Sequence, residues 1–342
     1  MSSQSTPFFS ILMPAHNAEQ FIVRAINSVR EQDFNNWELI IIDDGSTDNT
    51  FEILEKIDDK RIRCYRQEKQ GVMKTRLELF SKVRGKYVLH VDSDDLLLHG
   101  ALTFIYDFLK KNKCDILQFD FRRFHNAEEI QGVEVEKGEV EKEIVGANEI
   151  IKGIAFEGKN FLWAKAIKRE CLANIDSKKM QMHEIEIGED LAISIEAAKN
   201  AKKMCFISNQ LYGYRTNMKS ITHSLEGIEL NDSIREEVFN TMKTRGALSR
   251  KEEKKYIRYC RKCFSWSVIL RSLEIEENKR KVVWEKLKRN SYYKNILSRK
   301  DIVGAEGFLE SIIFYSFQKN IVVIFSVIEI FKKAKSRVKH AK

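Results

Sequence analysis

The sequence predicts an α/β fold: a doubly wound, mostly parallel sheet over the first two thirds of the chain, then a basic helical region. Three observations lead there. Apolar strands alternate with amphipathic helices through the first hundred residues, aspartates collect where those strands end, and the charge balance reverses late in the chain.

Hydrophobic spacing places the elements. FFSILMPA (8–15) is an apolar run closing on Pro14, and Phe21, Ala25, Ile26 and Val29 fall at helical spacing within 18–32. WELIIIDDG (37–45) is a continuous apolar strand of the kind buried in a parallel sheet. Ser46 or Thr47 can cap the following helix, whose apolar positions are Phe51, Ile53, Leu54 and Ile57. RIRCYRQ (61–67) reads as a third strand, 71–83 as a helix, and 86–91, bounded by Gly85, as a fourth strand. Such a βαβ rhythm argues for a doubly wound sheet, in which ligands sit at the carboxyl ends of the strands. A helix over 101–111 and a strand over 115–124 continue it, while 127–147, rich in Glu and Gly, reads as a solvated excursion. Residues 146–152 and 189–200 are expected to be helical. Beyond residue 225 the alternation stops, and long basic helices are expected at 229–244, 249–275 and 278–290.

A chain of 342 residues, 43% hydrophobic and 32% charged, can bury a real core as one large domain or two smaller ones. The N-terminus MSSQSTPFFS lacks the basic and apolar regions of a secretory signal, so a cytoplasmic location is expected. Six cysteines are scattered; Cys260 and Cys263 have no second pair to complete a zinc site, and reduced thiols are expected. Residues 1–240 hold 33 Lys+Arg against 40 Asp+Glu, whereas 241–342 hold 26 against 10, balances of −7 and +16. The later region therefore suits an anionic partner, a membrane surface or nucleic acid. No recognisable nucleic-acid module with stacked aromatics and Gly accompanies it, so no nucleic acid is expected.

The fourth strand runs directly into DSDD, which puts Asp92, Asp94 and Asp95 within four residues. Like charges this close repel and call for a cation. Either water and Lys or Arg side chains screen them, or they hold a metal ion. Oxygen ligands suit Mg²⁺ or Mn²⁺, and two carboxylates leave an octahedral shell open to the oxygens of a diphosphate.

FSILMPAHN, ELIIIDDGSTD and GKYVLHVDSDD, in this order and spacing, resemble family 2 glycosyltransferases of the GT-A fold, and the likeness covers roughly residues 8–225. The resemblance implies a GT-A catalytic domain over 1–225, with a nucleotide-sugar half at 8–110 and an acceptor half at 111–225, ahead of a helical region at 226–342. It also implies a hexosyltransferase that uses a UDP-sugar and Mn²⁺ or Mg²⁺. Asp44 matches the carboxylate that accepts from the imide nitrogen of uracil, with Asp43 beside it serving there or in the turn. Pro14 opens the nucleotide pocket, and His16 stands where the family often has a ring that packs on uracil. Asp94 matches the metal ligand, Asp92 contacts ribose or the metal through water, and Ser93 joins the donor contacts. Asp95 orients the donor sugar or the metal's water shell. Arg76 matches a basic residue near the donor, although Leu77 and Leu79 replace the usual Asn-x-Gly.

FLWAKAIKREC (161–171) and GEDLAIS (188–194) resemble the acceptor-side segments of the same family. Asp190 then matches the general base of an inverting transfer, with Glu189 beside it; both also suit a helix N-terminus. Trp163 is either an apolar wall for an acceptor sugar or a core residue. In YGYRTNMKSITH (212–223), Arg215 and Ser220 would reach the pyrophosphate and His223 would complete the metal shell, with His183 an ambiguous alternative. An inactive nucleotide-binding relative would be expected to lose a metal or base carboxylate, and Asp94 and Asp190 are both present. A processive synthase would carry QxxRW and several spans, which are missing. Single-sugar transfer to a saccharide, commonly lipid-linked, is the expectation.

The segment GFLESIIFYSFQKNIVVIFSVIEIF (307–331) is apolar but interrupted by charge, and the tail KKAKSRVKHAK adds six Lys+Arg and no acid. It is too broken to span a bilayer. Peripheral docking on the anionic inner face of the cytoplasmic membrane is expected. A helix packed on the catalytic domain, or a homo-oligomer interface, is the alternative.

Overall fold

The computed structural model describes residues 6–130, 132–133, 135, 138–157, 160–173, 175, 188–216, 226–272, 277–305 and 307–319. The chain divides into two compact units, 1–218 and 219–342.

In the first unit, β1 (Phe9–Ala15), β2 (Trp37–Asp44), β3 (Ile62–Gln67) and β4 (Tyr87–His90) pair in parallel in the order β3-β2-β1-β4. Helices α1 (Ile22–Arg30), α2 (Thr50–Glu55) and α3 (Val72–Ser81) make the crossovers. All eight residues of β2 are buried, as its unbroken apolar run requires when both sheet faces are covered. Strand order reverses between β1 and β4, which places a ligand crevice beyond their carboxyl ends.

The second half follows with β5 (Leu96–Leu97), α4 (Ala101–Asn112), β6 (Ile116–Phe124), β7 (Lys142–Val145), α5 (Ala147–Glu157), β8 (Lys165–Lys168), α6 (Arg169–Leu172), α7 (Glu189–Asn200) and β9 (Lys203–Arg215). Strand β8 runs antiparallel to both β4 and β6, joining the halves into one nine-stranded sheet. The long β9 pairs in parallel with β6 and antiparallel with β5 and β7.

Several expectations need correction. Helix α2 begins at Thr50, so neither Ser46 nor Thr47 caps it. The Ser46 hydroxyl donates to Asp43, the Thr47 amide donates to Asn17, and Asp48 accepts from the Thr50 amide instead. The supposed solvated excursion ends in β7, whose only buried side chain is Ile144. An edge strand with one inward residue leaves little apolar signal. Strands β5, β8 and β9 were also not anticipated: two are short, and the third is largely buried without clean alternation.

The second unit is helical: α8 (Glu226–Thr244), α9 (Arg250–Ser272), α10 (Glu277–Arg289) and α11 (Phe308–Lys319), with a π-helical turn at Tyr293–Leu297. Phe264 packs against Phe314 and Phe317, and Phe317 against Trp284. Buried Arg261 donates to the carbonyls of Leu297, Arg299, Ile302 and Gly304, satisfying a turn that has no ladder of its own. The described part of 307–331 is thus a core helix of this unit. Among the described residues no helix is long and apolar enough to cross a membrane.

Candidate active site

The loops after β1 and β2 are tied together at the carboxyl ends of their strands. The Asn17 amide donates to Ser46 Oγ, and Asn17 Oδ1 accepts from the Thr47 amide, at 2.9 and 2.8 Å. Pro14 is half-buried at the end of β1, and His16 is exposed beside it. Asp43 is fully buried, bound to Ser46 and 3.4 Å from Arg66 Nε, so it braces the turn. Asp44 Oδ1 accepts from Gln67 Nε2 and the Gln70 amide, and Oδ2 from the Gly71 amide, each at 2.8 Å. A carboxylate has about four acceptor sites, so one direction remains. Gly45 allows this approach: it has φ +66°, and a Cβ there would lie 2.7 Å from the Lys69 amide nitrogen.

DSDD forms a tight turn, closed by the Asp95 amide donating to the Asp92 carbonyl at 3.0 Å. Ser93 and Asp94 occupy its half-buried tip. Strand β9 clamps it from behind. The Tyr212 phenol accepts from the Asp92 amide at 3.0 Å and donates to Asp95 Oδ2 at 2.8 Å, while the Arg215 amide donates to Asp95 Oδ1 at 2.7 Å. Asp95 is 1% exposed, and burial, then Asp94 and Asp92, hold its carboxyl well above the usual range. Asp95, expected to orient the donor sugar or the metal's water shell, here gives both carboxylate oxygens to β9 and braces the loop. Arg215, expected to reach the pyrophosphate, packs behind the same loop. Its guanidinium lies 4.6 Å from both the Phe21 and Phe124 ring centres and donates to the Asp94 and His125 carbonyls.

Arg76, on α3 and 3% exposed, gathers the remaining acids. It stands 3.2 Å from Asp92 Oδ1, 3.7 Å from Glu189 Oε1 and 3.0 Å from Asp190 Oδ1. Burial works against its charge, but Asp190, Asp92 and Glu189 together hold it above its ordinary range. Burial pushes Asp92 up to about 6 despite Arg76, and Glu189 up to about 7 with Asp190 adding to the shift. Glu189 and Asp190 open α7 after Gly188, whose φ of 97° turns the chain into the helix. The acids thus sit at a helix N-terminus and face the DSDD turn through one guanidinium.

Two further groups in this neighbourhood escaped the sequence reading. His90 is buried beside Arg76, and burial, then that cation, holds its imidazole well below its usual range. Lys165 is 0% exposed, and its Nζ donates to the Phe161 carbonyl at 2.6 Å. A lysine inside the apolar segment FLWAKAI was the available signal.

On the acceptor side, Trp163 is 4% exposed and stacks on Phe161 and Tyr212, each 4.7 Å away, and on Tyr214 at 5.2 Å. Its proposed open wall is therefore corrected to a core position, with Phe161 and Tyr214 as the partly exposed layer. Ser220, His223 and His183 lie outside the described residues. Among those described, no three His, Cys, Asp or Glu side chains form a metal cage. Asp94, at the turn tip, is the best-placed donor; burial raises its carboxyl, and its own amide and Arg215 oppose the shift. One or two carboxylates fit a hard divalent ion that completes its shell with phosphate oxygens and water.

A model of the glycosyl transferase family 2 matches residues 10–137. Those residues are similar to a family 2 glycosyl transferase domain. The matched stretch contains β1 to β6 and the DSDD turn, whereas β7 to β9, α7 and the whole second unit lie beyond it. The chain is similar to the uncharacterized glycosyltransferase EpsJ of Bacillus subtilis, 27% identical over 225 residues, 63% of each chain. It is also similar to WfgD of Escherichia coli, named a UDP-Glc:α-D-GlcNAc-diphosphoundecaprenol β-1,3-glucosyltransferase, 34% identical over 119 residues, 34% of this chain and 47% of that one. In both, less than two thirds of the relative is spanned. Among solved structures, TarS 1-349 of S. aureus in complex with UDP-GlcNAc has 20% identity and a TM-score of 0.52, covering 85% of this chain and 90% of that one. Likeness at that identity shows the fold, which is GT-A.

Proposed function

We propose that the protein is an inverting glycosyltransferase that moves one hexose from a UDP-sugar to a saccharide acceptor, lipid-linked, in a metal-dependent reaction. The observation that carries this reading is the Arg76 node, which holds the base candidate Asp190 against the donor-loop carboxylate Asp92. The family 2 match, the UDP-GlcNAc bound by TarS and the lipid diphosphate named for WfgD support the donor and acceptor classes.

In this reading the nucleotide lies beyond β1, β2 and β4, with His16 and Asp44 toward uracil. Asp94, with Asp92 nearby, would hold Mn²⁺ or Mg²⁺, which would supply positive charge toward the departing diphosphate. Asp190 takes the proton of the acceptor hydroxyl as its oxygen forms a bond to the anomeric carbon. The bond from that carbon to UDP breaks, its electron pair leaves with UDP, and the configuration inverts. Arg76 and the Leu162 amide, 3.2 Å from Asp190 Oδ2, fix the base carboxylate. The second unit and the basic tail would hold the enzyme at an anionic leaflet.

The test is UDP release from UDP-glucose, UDP-galactose and UDP-GlcNAc with Mn²⁺, with and without GlcNAc diphosphate on a short alkyl chain. Turnover of one donor to a product of inverted configuration supports the reading. Failure of all three to be consumed or to raise the melting temperature overturns it.

A further inference from the structure

One peptide unit near the site is held at both ends by ionisable side chains. Its carbonyl, that of Phe161, accepts from Lys165 Nζ at 2.6 Å, and its N–H, that of Leu162, donates to Asp190 Oδ2 at 3.2 Å. The C=O and N–H of a trans peptide are coplanar and point in opposite directions, so fixing one fixes the other. An N–H donor at the oxygen end and a carboxylate at the hydrogen end also match the peptide dipole, and hydrogen bonds arranged in series strengthen one another.

From this geometry we infer that Lys165 is a positioning residue for Asp190: it anchors the Phe161–Leu162 peptide, which in turn aims the carboxylate. The inference rests on Asp190 being the base, as proposed above. Lys165 sits on β8, opposite Gln118 of β6, and is 0% exposed, so it approaches no substrate directly. Burying a lysine is costly unless its ammonium or amine is bound, and a methionine would fill much the same space without that cost. Burial lowers the Lys165 amine to about 7, with Asp190 pulling the other way. A costly buried group that donates to the peptide beneath the base is explained by positioning. The neighbouring aromatic layer packs against this segment, with Phe161 stacked on Trp163 at 4.7 Å. The Lys165 bond adds a polar anchor at the carbonyl end.

The test is a double-mutant cycle with Lys165→Met and Asp190→Asn, read as kcat and KM for UDP release from the donor the panel selects, with UDP affinity measured by calorimetry. Lys165→Met should lower kcat roughly 10–100-fold, the size expected for a small misplacement of a reacting group. UDP affinity should stay within about twofold, and the substitution should have no further effect in the Asp190→Asn background. Lys165→Arg, which keeps a donor to the carbonyl, should recover part of the loss. An equal loss in both backgrounds places Lys165 outside the Asp190 pathway and overturns the inference, as does unchanged kcat. Loss of UDP affinity assigns it a general structural role and overturns it too. Full activity of Asp190→Asn alone sinks instead the general-base reading, so the two failures are distinguishable.

Discussion

Arg76 Nη1 lies 3.0 Å from Asp190 Oδ1, joining a helix of the nucleotide half to the first turn of α7 in the other half. The same guanidinium stands 3.2 Å from Asp92, the first carboxylate of the DSDD turn. The DSDD turn and the start of α7 are therefore spaced by one rigid, planar cation.

Removing that cation strands three acids. Arg76→Met should cost about 3–5 kcal/mol, because breaking a buried ion pair leaves its partners uncompensated. Urea unfolding measures it; a loss below about 1 kcal/mol would mean that water already screens Asp92, Glu189 and Asp190.

Asp190→Asn keeps the shape of the side chain and removes its basicity, so turnover should fall roughly 10²–10⁴-fold. Donor affinity should barely move. If UDP-sugar affinity falls in step with the rate, Asp190 belongs to the donor side.

Asp94→Ala removes the turn-tip carboxylate while relieving repulsion with Asp92 and Asp95. The fold should survive with an unchanged melting temperature, and Mn²⁺-dependent turnover should be nearly abolished. Metal titration of the wild type after EDTA treatment is the companion measurement; turnover indifferent to both changes removes the metal from the reaction.

Lys165 gives stability a pH dependence of defined sign. Its amine is near 7 when folded against an ordinary 10.5, so the unfolded chain binds the extra proton between those values. Stability from this group therefore rises with pH across that window and is flat below it. Relative to Lys165→Met, the wild type should gain melting temperature from about pH 7 to pH 9.5. A constant difference would mean that the buried amine stays charged.

Membrane docking is best tested by truncation after residue 319, because an earlier cut would remove α11, whose Phe314 and Phe317 are core. The shortened protein should leave vesicles containing anionic lipid at low salt and keep its turnover of a soluble acceptor. If the full chain also stays off those vesicles, the leaflet is not its partner.

The parallel half of the fold was legible because each strand is an unbroken apolar run ending in turn residues, as in WELIIIDDG. Strand β8 was not, since KAIK is four residues long and owes its place to pairing with β4 and β6. The site divides similarly. Asp44, Asp94 and Asp190 stand out as acids at the ends of elements. What each acid does depends on partners distant in sequence: Tyr212 turns Asp95 into a brace, and stacking on Tyr212 and Tyr214 makes Trp163 a core residue. No local pattern carries such information.

The clamp on the DSDD turn has a consequence for how the chain is made. Asp92 and Asp95 take their partners from Tyr212 and Arg215, 117 to 120 positions downstream. Contacts of such high sequence separation close late in folding. On a ribosome, the apolar strands of the first hundred residues emerge well before β9 can fasten the turn, so the donor loop sets only when the sheet is complete. A fragment cut at residue 137, where the family match ends, would expose a strand edge on β4 and leave Asp95 without its two donors. The stretch most recognisable by descent is thus smaller than the unit that has to fold, and expressing it alone should give aggregates instead of a minimal enzyme.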